Sequence, residues 1–556
     1  MKRVLIVGGA GVFGRRLAQG LNATTSAYII VAGRSLQRAQ HAADELGTPE
    51  AIALDRNAAT SGDIRAVGAD LVIDAAGPFQ GADLRFARAV IEAGAHYLDL
   101  ADARDFVAAF PALDPLARAH GVAAITGASS TPALTHAVLD ELRAGWRRVD
   151  GVRAGIASAN RMQRGAAVMQ SILSWTGAPV RVFEAGAWRE RSGWSDCGAI
   201  DLPGLGRRRF ALAETPDLDL IPTRYAPRDS ALFMAALELP LMQRGMEAIG
   251  ALRRLGLLGD PVRWAGALRA AGDWLAPFGS DRGGMIVEVF GRDAEDRPAL
   301  ARWTMLAPHG RGPNTPTFAA LVLARRFLAG DTLPIGARPC VAMLRLGDFE
   351  PEFVRNAFTT RIDVTLLRAP FETALGENFG SAPPAVQAAH RGGPVTRLCG
   401  VARVEGAETW LGRIVARVFG LPEAADAAPV KVTIRLDGGG ETWERDFVGR
   451  RMKSRLRCVA PGIVRESFGA FHFDMAMKAD AEALTMRVVR WRLGPLPLPS
   501  ALAPRSLAVE SQDGEGRFRF DVAIALPLIG RVAHYSGVLV AEEVEAAPAA
   551  PEREKA

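Results

Sequence analysis

The 556-residue chain has only four cysteines, and they lie far apart. Neither zinc-ligand spacing nor a disulfide framework is visible, which fits a reducing, cytoplasmic setting. No apolar run reaches the roughly 18 to 20 residues that span a bilayer, so no transmembrane segment is expected. The first apolar strand starts by residue 4, so no signal peptide is expected. Lysine is scarce too: it occurs at 2, 431, 453, 478 and 555, so 62 of the 67 basic residues are arginine. We read that bias as the codon usage of a GC-rich genome. The net charge of +6 does not point to nucleic acid. Basic residues are interspersed with acids, and no zinc-finger, RNP-type or basic-zipper pattern occurs. There is also no P-loop, metal-ligand cluster or Ser-His-Asp signature, which leaves kinase and hydrolase readings without support.

What is present is a globular composition, 49% hydrophobic and 23% charged, in a chain too long for one core. From 1 to 130, short apolar strands alternate with helical patterns. The strands read as Arg3 to Gly8, Tyr28 to Gly33, Ala51 to Asp55, Asp70 to Ala75, Tyr97 to Leu100 and Val122 to Thr126, with helices such as Ser35 to Leu46 and Leu84 to Ala93 between them. Near-continuous apolar strands imply a sheet covered on both faces, hence an α/β, Rossmann-type doubly wound parallel sheet. Residues 131–350 read as an α+β substrate or dimerisation domain that returns to the first, with Thr131-Pro132 as a helix start. Within it, Ala231 to Pro277 carries Leu, Ala, Trp and Arg at helical spacing. We read it as buried interdomain helices in preference to a greasy face for substrate, partner or membrane. Residues 365–541 read as a mostly β domain, and 542–556, rich in Ala, Pro and charge, as a disordered tail.

"VLIVGGAGVFGRRLA", residues 4–18, sets Gly8, Gly11 and Gly14 three apart between the first strand and its helix. Gly8 permits a tight turn, Gly11 lets backbone approach a pyrophosphate, and Gly14 lets helix pack on strand. The N–H groups of Val12 and Phe13 would face the phosphates. The second strand ends in "VAGRS", with no acid for a ribose 2'-hydroxyl. Arg34 and Ser35, helped by Arg38, suit a 2'-phosphate instead, so NADP is expected in preference to NAD. Asp55 is placed near the adenine edge. Ala76, Gly77, Pro78 and Phe79, after the fourth strand, should line the cofactor crevice.

The segments "IVGGAGVFGRRLA", "VAGRS", "VIDAAGPFQ", "AGAHYLDLADARDF" and "AITGASSTPAL" resemble, in this order, the NADP-binding domain of saccharopine dehydrogenase-like oxidoreductases. "GSDRGGMIVEVFG" and "GPNTPTFAALVLARRFLAG" extend the resemblance to about residue 350. It implies a Rossmann domain followed by an inserted substrate or dimerisation domain. The C-terminal part, through "ETWERDFVGRRMKSRL", "LGPLPLPSALAP" and "PLIGRVAHYSGVL", is similar to an uncharacterised bacterial domain found behind such proteins. Saccharopine-type enzymes are expected to place a lysine in the active site, yet none occurs between Lys2 and Lys431. Strict saccharopine chemistry is therefore not expected.

The fifth strand, "HYLDLADARDF", carries the catalytic candidates. Tyr97 and Asp99 share a face by strand alternation. In one reading Asp99 or Asp102 orients or deprotonates, with Tyr97 as hydrogen-bond donor. In the other, Tyr97 packs under the sheet and Asp102 caps the next helix. His136, His309 and the turn before Pro316 are secondary candidates. Trp443, Arg445, Phe447, Arg450, Arg451, Lys453 and Arg455 form an aromatic and basic strip, read as a solvated sheet face in preference to a headgroup site. The sequence thus implies an NADP-dependent oxidoreductase acting on a carbonyl, imine or enoyl small molecule, a hydrophobic one included, and a homodimer through the middle domain. The alternative is a non-catalytic NADP-binding protein whose apolar helices and β domain engage lipid or a protein partner.

Overall fold

The structure is a computed structural model describing residues 1–161, 166–391, 393–447 and 449–542. In its first part six strands, β1 (Arg3–Val7), β2 (Tyr28–Gly33), β3 (Glu50–Ala53), β4 (Leu71–Asp74), β5 (His96–Asp99) and β6 (Ala123–Thr126), alternate with six helices. These are α1 (Val12–Asn22), α2 (Leu36–Leu46), α3 (Ser61–Val67), α4 (Arg85–Glu92), α5 (Arg104–Ala109) and α6 (Asp114–Ala119). Paired strands are all parallel, in the order β3-β2-β1-β4-β5-β6. Apolar residues fill both faces. Val4, Ile6 and Ile73 pack under α1 and α2, while Leu5, Val72 and Tyr97 pack under Phe86, Val90 and Phe110. Strand order reverses between β1 and β4, which opens a crevice at their carboxyl ends.

The middle part runs through α7 (Thr135–Leu142), β7 (Arg148–Ala157), α8 (Ala166–Trp175), β8 (Pro179–Glu184), β9 (Ala187–Ser192), β10 (Asp196–Leu202), β11 (Gly206–Leu212), α9 (Asp217–Tyr225) and β12 (Ser230–Ala236). It continues with α10 (Pro240–Arg254), α11 (Ala265–Trp274), β13 (Gly283–Arg292), β14 (Pro298–Ala307), α12 (Phe318–Ala329), β15 (Gly336–Pro339), α13 (Glu350–Arg355) and β16 (Thr359–Leu366). The mixed sheet is ordered β10-β11-β12-β7-β13-β14-β16, with only β12 and β7 parallel on that path. β15 leaves it to pair parallel with β6 as a seventh strand of the first sheet.

One local reading holds and one changes. Thr131 is extended (φ −127°, ψ 126°) before a cis bond to Pro132, and it is the only residue of Ser130–Leu134 with non-helical backbone, so helical backbone starts at Pro132 and runs into α7 as expected. Ala231 to Pro277 is not a set of buried interdomain helices. It opens with β12, and its helices turn Leu241, Leu255, Trp264 and Trp274 to solvent. Helical spacing reveals a stripe but not which way the stripe faces, and here the inner side is already satisfied by other residues.

After α14 (Pro370–Leu375) and α15 (Pro384–Arg391), β17 (Val395–Glu405) begins an antiparallel meander that ends at Ala541. β17 pairs with the last strand, Gly530–Ala541, while Phe471–Ala479 pairs with Ala483–Leu493, so ten strands close into a barrel. One helix, α16 (Trp410–Val418), crosses between β17 and the strand Ala425–Asp437. Glu542, first residue of the expected tail, donates its backbone N–H to Arg397 O at 2.9 Å; residues 543–556 lie outside the described residues.

The barrel is clamped to the middle sheet at Asp229, just before β12. This buried carboxylate accepts from Arg397 of β17 and, at 3.4 Å, from Arg435 Nε. Replacing Asp229 with Asn leaves the buried Arg397 guanidinium without a counter-charge, a change expected to cost about 3–5 kcal/mol. Differential scanning calorimetry should show a lower first transition with NADPH affinity retained; an unchanged melting profile would contradict the clamp.

Candidate functional site

The glycine loop is shaped by the lack of room for side chains. Gly8 has φ +75°, and a Cβ there would lie 2.9 Å from the Ala76 backbone. A Cβ at Gly14 would lie 2.2 Å from Gly8 O. Strand, loop and helix therefore touch through bare backbone. Gly11 N–H donates to Gly8 O at 2.8 Å, closing the turn. Helix α1 then starts with no side chain capping it and no acid in its first turn, so its N–H groups and the positive end of its dipole are left for an anion. The loop fits a dinucleotide pyrophosphate, with Gly11 exposed and Val12 and Phe13 half-buried beside it.

Of the residues expected at the cofactor, Phe79 is buried and the others reach the surface. Arg34, Ser35, Asp55, Gly77 and Pro78 are exposed and Ala76 is half-buried. Ser35 has a structural duty as well, since its Oγ caps α2 by accepting from Arg38 N at 3.4 Å. The Asp55 carboxylate accepts from Asn57 N at 3.0 Å. Sequence reasoning missed the brace beneath the loop after β4. Buried Asp74 accepts from Ala76 N at 3.0 Å and from Arg56 Nε at 2.5 Å, and the Arg56 guanidinium lies over Phe79, 4.7 Å from the ring centroid. An acid ending the otherwise apolar "LVID" was the available signal.

The fifth strand divides its candidates. Tyr97 is wholly buried, stacked on Phe110, and its hydroxyl donates to Asp74 Oδ2 at 3.3 Å. It cannot donate to a reacting group in the crevice, so the expectation of a catalytic Tyr97 is corrected. Asp99 is also buried. Its Oδ1 accepts from Ala101 N, Thr126 Oγ1 and Gly127 N at 2.9, 2.9 and 2.7 Å, tying together the loops after β5 and β6. Its Oδ2 has no partner among the described residues, and burial pushes the carboxyl up to about 7. Of the three, Asp102 alone is exposed, in the loop after the carboxyl end of β5. It does not cap α5, whose N-cap is Ala103 with no side-chain bond. Water reaches its carboxyl although protein surrounds it, and this partial desolvation raises its pKa. Gln80 Nε2 donates to Asp102 Oδ1 at 3.2 Å and to Ser171 Oγ of α8 at 2.7 Å, so α8 forms the facing wall.

Behind Asp102, buried Arg104 locks the first part to the second. Its Nη1 donates to Glu214 at 3.2 Å and its Nε to Asp219 at 2.6 Å, with Arg181 also on Asp219 at 2.7 Å. Two guanidiniums hold Asp219 below the usual carboxylate range, while burial pushes Glu214 up to about 7.

The remaining candidates fall elsewhere. His136 is wholly buried, 3.5 Å from buried Asp217 and stacked on Tyr225, which makes it an interdomain core residue. His309 is exposed, and the turn at Pro316 belongs to a short 3-10 segment ahead of α12. The aromatic and basic strip is not one solvated face: Trp443 and Phe447 are buried in the barrel, and Arg445 pairs with Glu466 at 3.2 Å, whereas Arg451, Lys453 and Arg455 point outward to acids. A cavity of about 470 Å³ lies between the middle sheet and the barrel, away from the glycine loop. Its charges answer one another, Arg148 with Asp150 and Arg397 with Asp229, so it is a polar domain junction and the crevice remains the candidate site. No cluster of metal-ligand side chains occurs among the described residues.

Two family models match the chain. Residues 4–143 match the saccharopine dehydrogenase NADP binding domain, and residues 383–539 match a domain of unknown function, DUF4166. The first match supports an oxidoreductase that uses a nicotinamide dinucleotide; it names no substrate. No curated protein matches the chain. Among solved structures, apo saccharopine dehydrogenase (L-Glu forming) from Saccharomyces cerevisiae is 14% identical, covering 66% of this chain and 100% of that one, at a TM-score of 0.49. A probable dehydrogenase from Thermotoga maritima is 10% identical over 64% and 94%, at 0.33. A dehydrogenase from Thermus thermophilus, in complex with NAD and α-ketoglutarate, is 13% identical over 60% and 90%, at 0.30. These are distant likenesses and carry no argument about substrate.

Two outcomes are expected. Gly14→Ala forces a methyl group onto Gly8 O, so NADPH binding measured by calorimetry should fall by at least about tenfold; wild-type affinity would refute the close-approach argument. Asp99 keeps its proton to about 7 when folded but loses it near about 4 when unfolded. Folded protein therefore binds more protons in that window, and this stabilisation is lost as pH rises through it. Asp99→Asn, which mimics the protonated acid, should flatten the fall in melting temperature between about pH 4 and pH 7; an unaltered slope would mean Asp99 is ionised throughout.

Proposed function

We propose that this chain, which carries a saccharopine dehydrogenase NADP-binding domain at its N-terminus and a DUF4166 domain at its C-terminus, is an NADP-dependent oxidoreductase acting on an apolar carbonyl, imine or enoyl compound. One observation carries the reading: the uncapped start of α1, cradled by Gly8, Gly11 and Gly14, and the exposed Asp102 both follow the carboxyl ends of strands in the same parallel sheet. Val12 and Phe13 N–H groups would hold the pyrophosphate. Arg34, exposed beside Ser35 with no acid at the end of β2, would hold a 2'-phosphate through its guanidinium fork. The bound nicotinamide supplies or accepts a hydride.

The chain's own contribution is the proton. Asp102, with its pKa raised by desolvation and its Oδ1 held by Gln80, is suited to exchange a proton with a substrate heteroatom. Gln80 and Ser171 position that carboxyl and join the two walls of the crevice. Asp99 and Tyr97 act one layer below, shaping the loops that present Asp102. The missing lysine between Lys2 and Lys431 separates this site from the amino-acid chemistry expected of saccharopine-type enzymes.

Arg34→Glu should weaken NADPH by about a hundredfold while changing NADH little; equal losses would refute the 2'-phosphate assignment. Asp102→Asn should leave NADPH affinity intact and reduce kcat by about 10²–10⁴-fold on whichever carbonyl or enoyl compound wild type turns over. Retained kcat would remove Asp102 from the mechanism, and a wild type that binds NADPH but turns over no member of a broad panel would favour a cofactor-binding role.

A further inference from the structure

Helices α10 and α11 and the turn after them carry a second apolar face. Leu241, Leu255, Leu257, Trp264, Trp274 and Phe278 are each more than half exposed, Trp274 reaching 75%. These exposures do not come from an unfinished core. On the inner side of the same segment, Met246, Ile249, Val262 and Leu268 already pack against Leu173 of α8 and Trp194. Isolated apolar residues on a surface are ordinary, but six large ones within one 38-residue segment mark a surface that meets something.

The charges around the face indicate what it meets. Arg244, Arg254, Arg263 and Arg269 are exposed on this segment, and none makes an ion pair among the described residues. The two exposed acids there are Asp260, which caps the turn at Pro261, and Asp273, so the exposed arginines outnumber them. Tryptophan, leucine and phenylalanine interleaved with arginine is the composition of a segment lying at the headgroup level of an anionic bilayer. Among the described residues no helix is long and apolar enough to cross a membrane, so such contact is from one side.

The face is tied to the candidate site through helix α8. Asn160 Nδ2 donates to Leu275 O at 2.7 Å, and Arg161 Nη2 to Pro277 O at 2.9 Å, fixing the Trp274–Phe278 turn to the end of β7. Helix α8, on which α11 packs, meets the crevice through Ser171 and Gln80. One helix thus stands between the apolar face and the candidate site.

We propose that the α10–α11 face docks on an anionic lipid bilayer and that the crevice draws a lipid-soluble substrate from that surface. The substrate clause rests on the oxidoreductase reading above; the docking does not. The full chain should sediment with vesicles of phosphatidylcholine and phosphatidylglycerol, more weakly with phosphatidylcholine alone, and less at high salt. Trp274→Glu combined with Phe278→Glu should reduce vesicle binding at least about tenfold, and Arg254→Glu with Arg263→Glu should remove the preference for anionic vesicles. NADPH affinity should be unchanged in both, which shows that the variants are folded. No sedimentation with anionic vesicles, sedimentation that survives the aromatic substitutions, or a wild-type dimer in light scattering that those substitutions dissociate would each overturn the proposal. NADPH binding without vesicle binding would sink the docking and leave the cofactor assignment standing, while the reverse result would do the opposite.

Discussion

The whole crevice depends on three stretches of backbone meeting where no methyl group fits. β1 ends, α1 begins and the loop after β4 passes within van der Waals contact of one another, with Gly8, Gly14 and Ala76 at the junction. From that contact follow the angle of α1, the direction of its free N–H groups and the depth at which a pyrophosphate can sit. The polar layer beneath serves the same end. Asp74 and Asp99 are buried at the ends of neighbouring strands, and each turns its Oδ1 to N–H groups of the loops that follow the strand ends. Such acids are costly to bury, and their placement at successive strand ends ties the sheet to the loops that carry the chemistry.

The scarcity of lysine acquires a structural counterpart. Arg104 and Arg397 serve buried carboxylates at joints between parts of the molecule, and Arg56 serves buried Asp74 within the first part. A guanidinium is planar, remains charged when buried and makes several directed bonds. Whatever set the codon usage, the joints exploit the geometry of arginine, and lysine would not reproduce the two-carboxylate grip of Arg104 on Glu214 and Asp219.

Much of the first part was legible because its determinants are local. The strand–glycine–helix order, the acid-free end of β2 and the apolar strands are all written in short windows, and the parallel sheet followed from them. What escaped was long-range or a matter of facing. Arg104 finds its partners more than a hundred residues away. Tyr97 sits on the strand as periodicity requires, but period two does not say which face is the crevice. The strip from Trp443 to Arg455 looked like one surface, whereas alternation sends Trp443 and Phe447 inward and the basic residues outward. Barrel closure is likewise invisible locally, since it rests on β17 pairing with a strand that begins 125 residues after β17 ends.

β15 carries a consequence for the order in which the molecule is made. The edge position beside β6 is filled only when Gly336–Pro339 returns from the middle part, some 210 residues downstream. As the chain leaves the ribosome, the first sheet stands with six strands and an open edge while the entire mixed sheet is synthesised. Closing so long a loop is slow relative to local pairing, and an unpaired edge beside the apolar β6 is exposed to other nascent chains during that interval. The N-terminal domain is thus contiguous as a sequence motif but not as a folding unit.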